Sequence, residues 1–263
     1  VTHPWFTAAA TPRVLAHRGL VTRDVAAHGI AENSFAAIAQ AQSAGAVYVE
    51  SDCHLTADGT VVLFHDDSLL RVTGDPRRIA EVTVHELEDV MGDRGGLATL
   101  AQALDAFPSV LFNVDVKADA AAEPAGRIVA SYADRVLLTS FSDRRRRTAL
   151  AAAAAEGGTP ATSAGTATIT RTLTAVSTSS RRLEARALSG VDALQIPERH
   201  RGVRILSRRL LDAAHRNGVE VHVWTVNNPD DMTRLLDMGV DGLVTDRADA
   251  ALALVDTRGN AGR

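Results

Sequence analysis

The stretch Val47-Tyr48-Val49-Glu50-Ser51-Asp52 reads as a β-strand, because β-branched and aromatic residues favour a pleated, half-buried surface. Strand side chains alternate between faces, so Glu50 and Asp52 point the same way with α-carbons roughly 6.6 Å apart. At about 4 Å and an effective dielectric near 20, two such charges repel by about 4 kcal/mol. A divalent cation is the simplest relief. A pair of solvated acids on an edge strand is the plainer alternative, and the flanking segments decide between the two.

Upstream, the apolar run 14–16 leads into His17-Arg18-Gly19, where glycine lets the backbone turn. Ser34 is a good N-cap for a helix over 36–44, and Gly45 stands where a helix stops. Downstream, only the turn residues Thr56-Ala57-Asp58-Gly59 lead into the apolar run 61–64, too few for a parallel crossover. That run therefore folds back as a hairpin arm ending at His65-Asp66, within a small insertion spanning 53–97. The stretch 67–96 holds one helix, begun by the Thr83-x-x-Glu86 capping box. The next helix runs from about Thr99 to before Pro108.

Strands are then expected over 110–117, 135–141, 160–163, 192–196, 219–226 and 242–245. Helices are expected over 121–132, 142–156, a stretch ending near Leu188, 207–217 and 229–238. With the hairpin arm set aside, eight strands alternate with helices, which makes the fold class α/β and the architecture a single (β/α)8 TIM barrel over 1–263.

A chain of 263 residues that is 46% hydrophobic can bury one large core. No apolar run approaches a membrane span, so no stable membrane insertion is expected. A net charge of -4 argues against a nucleic-acid partner. Cys53 has no second cysteine to pair with, and residues 1–6 lack the basic-then-apolar order of a secretory signal, so a cytoplasmic location is expected. Arg144 to Arg147 read as a solvated helix face, since consecutive residues point around a helix, and 258–263 read as a frayed tail.

Active-site residues of such a barrel project from the carboxyl ends of its strands. Those ends carry His17 and Arg18, Glu50 and Asp52, Asp115 and Lys117, Phe141, Gln195, Trp224 with Asn227, and Asp246. In the third strand Asn113, Asp115 and Lys117 alternate with Val114 and Val116, which turns the polar set inward. Glu50, Asp52 and Asp115 would converge at the mouth, and hard oxygen ligands suit one divalent cation, Mg²⁺ or Ca²⁺. His222, two residues before Trp224, points into the core.

The ordered set His17-Arg18-Gly19, Glu32-Asn33-Ser34, Glu50-x-Asp52, Thr56-x-Asp58-Gly59, His65-Asp66, Arg71-x-Thr73-Gly74, Asp115-x-Lys117, Trp224-Thr225-Val226-Asn227 and Gly239-Val240-Asp241-Gly242 to Thr245-Asp246 resembles the glycerophosphodiester phosphodiesterases. The resemblance spans nearly the whole chain. It implies a (β/α)8 barrel with a small insertion after the second strand, a divalent cation on Glu50, Asp52 and Asp115, and His17 and His65 as an acid/base pair. Imidazoles titrate near neutral pH and can divide that work. Arg18 offers a planar fork to phosphate oxygens, and Lys117 a compact positive charge. Trp224 would wall the glycerol pocket, with Phe141 and Gln195 beside the substrate, and Glu32 would either orient Arg18 or a hydroxyl or be a simple loop acid beside the Asn33-Ser34 cap.

The implied activity is metal-dependent hydrolysis of glycerophosphodiesters, such as glycerophosphocholine or glycerophosphoethanolamine, to glycerol 3-phosphate and an alcohol. The alternatives are a lysophospholipase D-like phosphodiesterase, which would need an apolar channel or an exposed membrane-facing patch that the short insertion does not obviously supply, and a non-catalytic phosphodiester-binding barrel. Two positions depart from the family. Asp115 stands where glutamate is usual, although the related phospholipase D toxins look similar with Asp-x-Lys here. Ser51 replaces an apolar residue on the outward face, which is expected to loosen strand–helix packing.

Overall fold

The structure is a computed structural model describing residues 3–261. Among the described residues its frame is eight parallel strands: Arg13–His17, Tyr48–Leu55, Leu111–Val116, Val136–Thr139, Ala161–Thr162, Ala193–Pro197, Glu220–Trp224 and Gly242–Thr245. Neighbours in this order pair, and the eighth strand returns to the first with Thr245 opposite Ala16. The fifth and sixth meet through the Ser163–Ala193 bridge, where Ala164 N donates to Ala193 O at 2.9 Å. The expected (β/α)8 barrel is therefore present, closed at its narrowest pairing by one bridge.

Alternation along each strand builds two cores. Val14, Ala16, Val49, Cys53, Phe112, Val114 and Val116 face outward and pack beneath the helices. Leu15, Tyr48, Leu111, Leu137, Ala161, Ala193 and Val244 face inward and fill the lower barrel. That lower layer is plugged by Trp5 from the short helix Pro4–Thr7, whose indole Nε1 donates to Phe112 O at 3.0 Å. One helical turn is too short to show a hydrophobic period, so the plug is not legible in the sequence. Removing a buried aromatic of this size costs about 3–5 kcal/mol. Beside it the buried Arg13 guanidinium donates twice to Glu220, at 2.7 Å each, and also to Phe6 O.

The arm Val61–Leu63 pairs antiparallel with the outer half of the second strand, Leu63 opposite Cys53. It carries His65 to the rim. Residues beyond it fold over their own apolar cluster of Phe64, Leu69, Ile79, Val82, Leu87 and Met91, with Thr83 capping the helix Val84–Met91. Two helices, Thr166–Ser177 and Arg181–Leu188, join the fifth and sixth strands. After the sixth comes a small hairpin, Arg199–His200 against Val203–Arg204. No helix among the described residues is long and apolar enough to cross a membrane.

Three expectations are corrected. Arg144 to Arg147 do not form a uniformly solvated face. A helix turns about 100° per residue, which brings Arg146 inward, where it is buried against Asp143 and donates to Thr162 Oγ1 at 3.2 Å. The tail is helical from Ala248 to Ala261 instead of fraying at 258, while residues 262 and 263 lie outside the described residues. Ser51 does not loosen packing: it is fully buried, and its hydroxyl donates to Asn33 Oδ1 at 2.6 Å.

Candidate active site

A cavity of about 350 Å³ opens at the carboxyl ends of the strands. His17, Arg18, Glu50, Asp52, His65, Asp115, Lys117, Phe141, Gln195 and Trp224 all line it, as their strand-end positions imply. Glu32 does not. It lines a separate cavity behind His17, where its Oε1 accepts from Arg18 Nη1 at 2.8 Å and from Arg71 Nη2 at 2.5 Å. Glu32 thus braces Arg18 from outside the mouth.

The backbone around Arg18 is held in an unusual shape. Arg18 and Asn33 both have φ of 58°, a region that costs a non-glycine residue about 1–3 kcal/mol. Hydrogen bonds over-determine it: Arg18 N donates to Glu50 O and Asn33 N to Arg18 O, both at 2.8 Å. Gly19 follows because a Cβ there would sit 2.6 Å from the Ala37 backbone. The first strand's end is thereby locked to the second strand and to the loop before the helix Phe35–Ser43.

Three buried carboxylates share this mouth with two cations. Lys117, the only lysine in the chain, places its Nζ 2.8 Å from Asp52 Oδ1 and 2.6 Å from Asp115 Oδ2. Asp52 also accepts from Asn33 Nδ2 at 3.2 Å, and Arg18 Nε lies 3.2 Å from Asp52 Oδ2. Burial pushes the Asp52 carboxyl up, but Lys117 and Arg18 outweigh it and hold the group below the usual carboxylate range. Glu50 has no such close cation. Burial, then the charges of Asp52 and Asp115, push it well above its ordinary value. Burial also raises Asp115, with Lys117 opposing. Burial lowers the Lys117 ammonium, yet Asp115 and Asp52 more than reverse this and keep it charged.

Each mouth histidine is aimed by a carboxylate. His17 Nδ1 lies 2.6 Å from Asp246 Oδ1, and His65 Nδ1 lies 2.6 Å from Asp66 Oδ1. The hydrogen bond from His17 lowers Asp246, against burial and with help from Asn227. Burial raises Asp66, but Arg71 and His65 prevail and hold it low. An ionised carboxylate can only accept, so both Nδ1 atoms carry the proton and both Nε2 atoms are left for the cavity. His17 Nε2 stands 3.8 Å from Glu50 Oε2.

The cation implied by the resemblance can be tested against this donor set. Glu50, Asp52 and Asp115 supply the hard oxygens that Mg²⁺ or Ca²⁺ takes. When all three acids are ionised, as a bound cation would make them, they exceed Arg18 and Lys117 by one negative charge, and the buried Asp115 Oδ1 has no hydrogen-bond partner. In donor type and charge the residues fit. Among the described residues, however, no three acidic, histidine or cysteine side chains are already grouped as a metal cage, and Lys117 Nζ contacts both Asp52 and Asp115.

Sequence reasoning passed over Asp66 and Asp246 as orienting groups, and Asn33 as the link from Ser51 to Asp52. Asp66 was signalled by adjacency to His65. Asp246 was signalled by its place at the end of the eighth strand, which closes onto the first. His222 is fully buried, as expected, against Glu220 and Gln195.

Fold and mouth together define a (β/α)8-barrel enzyme whose polar side chains gather where the strands end. The sequence matches the glycerophosphoryl diester phosphodiesterase family over residues 17–250. A relative from Mycobacterium tuberculosis, named probable glycerophosphodiester phosphodiesterase 2, is 35% identical over 248 residues, covering 93% of this chain and 91% of its own. The chain belongs to the glycerophosphoryl diester phosphodiesterase family. Among solved structures, the barrel superposes on an Oleispira antarctica phosphodiesterase in complex with the product sn-glycerol-3-phosphate, with a TM-score of 0.70, 21% identity, and coverage of 94% of this chain and 97% of that one. It also matches a glycerophosphoryl diester phosphodiesterase from Silicibacter pomeroyi, with a TM-score of 0.70, 20% identity and 95% of both chains covered. At these identities the structural likeness shows the fold.

Proposed function

We propose that this protein hydrolyses glycerophosphodiesters such as glycerophosphocholine or glycerophosphoethanolamine to glycerol 3-phosphate and an alcohol, with the help of one divalent cation, Mg²⁺ or Ca²⁺. The observation that carries the proposal is the pair of histidines, each aimed by its own carboxylate, in one cavity with Arg18 and Lys117. Arg18 binds the phosphoryl oxygens through its fork. His17 takes at Nε2 the proton of the attacking oxygen, from water or from the substrate's own glycerol hydroxyl, as that oxygen bonds to phosphorus, and His65 gives one to the departing alkoxide as its P–O bond breaks. Asp246 and Asp66 hold the two rings and stabilise whichever is protonated. Glu50, Asp52 and Asp115 would hold the cation, which when bound offsets charge on the phosphoryl oxygens. Trp224 and Phe141, whose ring centroids are 5.7 Å apart, wall the pocket beside Lys117.

A second reading, a lysophospholipase D-like activity on acylated glycerophosphodiesters, is favoured by one feature. The cavity is also lined by Ile169, Leu173, Ile196, Pro197 and Ile205, from the fifth and sixth strands' side of the mouth and not from the first and second strands that bring His17 and His65, an apolar wall of the kind an acyl chain could lie against. Release of choline from glycerophosphocholine and from lysophosphatidylcholine, each with and without EDTA, tests both readings. No release from either substrate at any metal concentration would leave only a binding barrel. Release that EDTA does not affect removes the cation from the proposal.

A further inference from the structure

The hairpin after the sixth strand stands out by charge. Residues 198–209 hold five arginines against one glutamate, a local excess of four positive charges in a chain whose net charge is -4. Glu198 is already engaged by Arg234, at 2.8 and 3.0 Å. Arg199, Arg201, Arg204, Arg208 and Arg209 are all exposed, and Val203 stands among them at 63% exposure. The hairpin borders the active-site mouth, since His200 within it and Ile205 just after it line the cavity. Of the exposed large apolar side chains, Leu70, Phe141 and Val203 lie on segments that follow the second, fourth and sixth strands, at the mouth end of the barrel.

We propose that the hairpin of residues 199–204 docks the barrel mouth onto an anionic membrane surface. Its arginines pair with lipid phosphates, and Val203 enters the headgroup layer. Docking in this pose turns the apolar wall of Ile169, Leu173 and Ile205 towards the bilayer, from which an amphiphilic substrate can enter without crossing water. The contact is peripheral and reversible, because a few basic residues and one small apolar tip hold far less tightly than a spanning helix. It does not depend on which diester is cleaved.

The full chain is sedimented with vesicles of phosphatidylcholine alone and of phosphatidylcholine containing one third phosphatidylglycerol. Binding is expected on the mixed vesicles only, weakening at high salt. The combined change Arg199→Gln, Arg201→Gln and Arg204→Gln should lower partitioning roughly 100-fold, and Val203→Asp about tenfold. Melting temperature and hydrolysis of soluble glycerophosphocholine should match wild type, which separates lost docking from lost fold. Sedimentation is read without substrate, so failure of the hydrolytic reading leaves this test intact. No binding to mixed vesicles, equal binding to neutral ones, or undiminished binding of the triple variant overturns the proposal, as does arginine-dependent binding of an RNA oligonucleotide without vesicle binding.

Discussion

Nδ1 of His17 lies 2.6 Å from Oδ1 of Asp246, a carboxylate 229 residues further along the chain. The contact exists because the eighth strand pairs with the first. Asp246→Asn keeps the size but can present its amide to Nδ1, favouring the tautomer with the proton on Nε2, which then has no lone pair with which to take a proton. The expected outcome is a kcat lower by roughly 10–100-fold with an unchanged melting temperature. Wild-type kcat in this variant would remove Asp246 from the mechanism.

The two histidines should separate by leaving group. A nitrophenolate departs without a proton, so the residue that serves as acid is dispensable for bis(p-nitrophenyl) phosphate. His65→Ala should keep far more activity on that ester than on glycerophosphocholine, whereas His17→Ala should lose both. Equal losses in the two variants on both substrates would rule out divided roles.

Glu50→Gln and Asp115→Asn each remove one charge from the set assigned to the cation. Calorimetric affinity for Mg²⁺ or Ca²⁺ should fall at least about tenfold in each, and Asp115→Glu should be tolerated. Unchanged affinity in both neutralised variants means that the cation sits elsewhere.

Lys117 bridges Asp52 and Asp115 with one compact ammonium. An arginine at this position could not place its planar, bulkier guanidinium within 2.8 and 2.6 Å of the same two oxygens. Lys117→Arg should therefore lower kcat/KM by roughly 100-fold through displaced carboxylates, despite conserving charge. Kinetics within a factor of about two of wild type would show that charge alone matters there.

Glu220 provides the pH test of the barrel floor. Burial raises its carboxyl, but Arg13 and His222 outweigh burial and lower it from 4.5 to about 2. Between those values the unfolded chain binds a proton that the folded chain does not, so stability is full above pH 4.5 and is lost as pH falls towards 2. The shift corresponds to about 3 kcal/mol. In Glu220→Gln that acid-dependent part of unfolding should vanish, and the variant should be less stable at neutral pH because Arg13 stays buried without its partner. A urea-unfolding series that gives parallel pH curves for the two proteins would contradict this account.

The alternation of side chains along strands is a local property, so the barrel, the hairpin arm at 61–64 and the inward set Glu50, Asp52, Asp115 and Lys117 were legible in the chain itself. So were Ser34 and Thr83 as helix caps, because a cap acts within one turn. The pairing of charges was not local. Lys117 lies between Asp52 and Asp115 because the second and third strands align Asp52 with Asp115, and His17 meets Asp246 because the ring of strands closes. Ser51 reads as a packing fault until Asn33 approaches from a loop to accept its hydroxyl hydrogen. Arg146 reads as a surface charge until its helix is docked. The Pro4–Thr7 turn and the hairpin of residues 199–204 are too short to carry a period. Sequence by itself determined which residues face the barrel mouth, since strand geometry repeats every two residues; tertiary structure alone decided which of them neutralise one another, since Coulombic and hydrogen-bond contacts depend on distances that only the closed barrel sets.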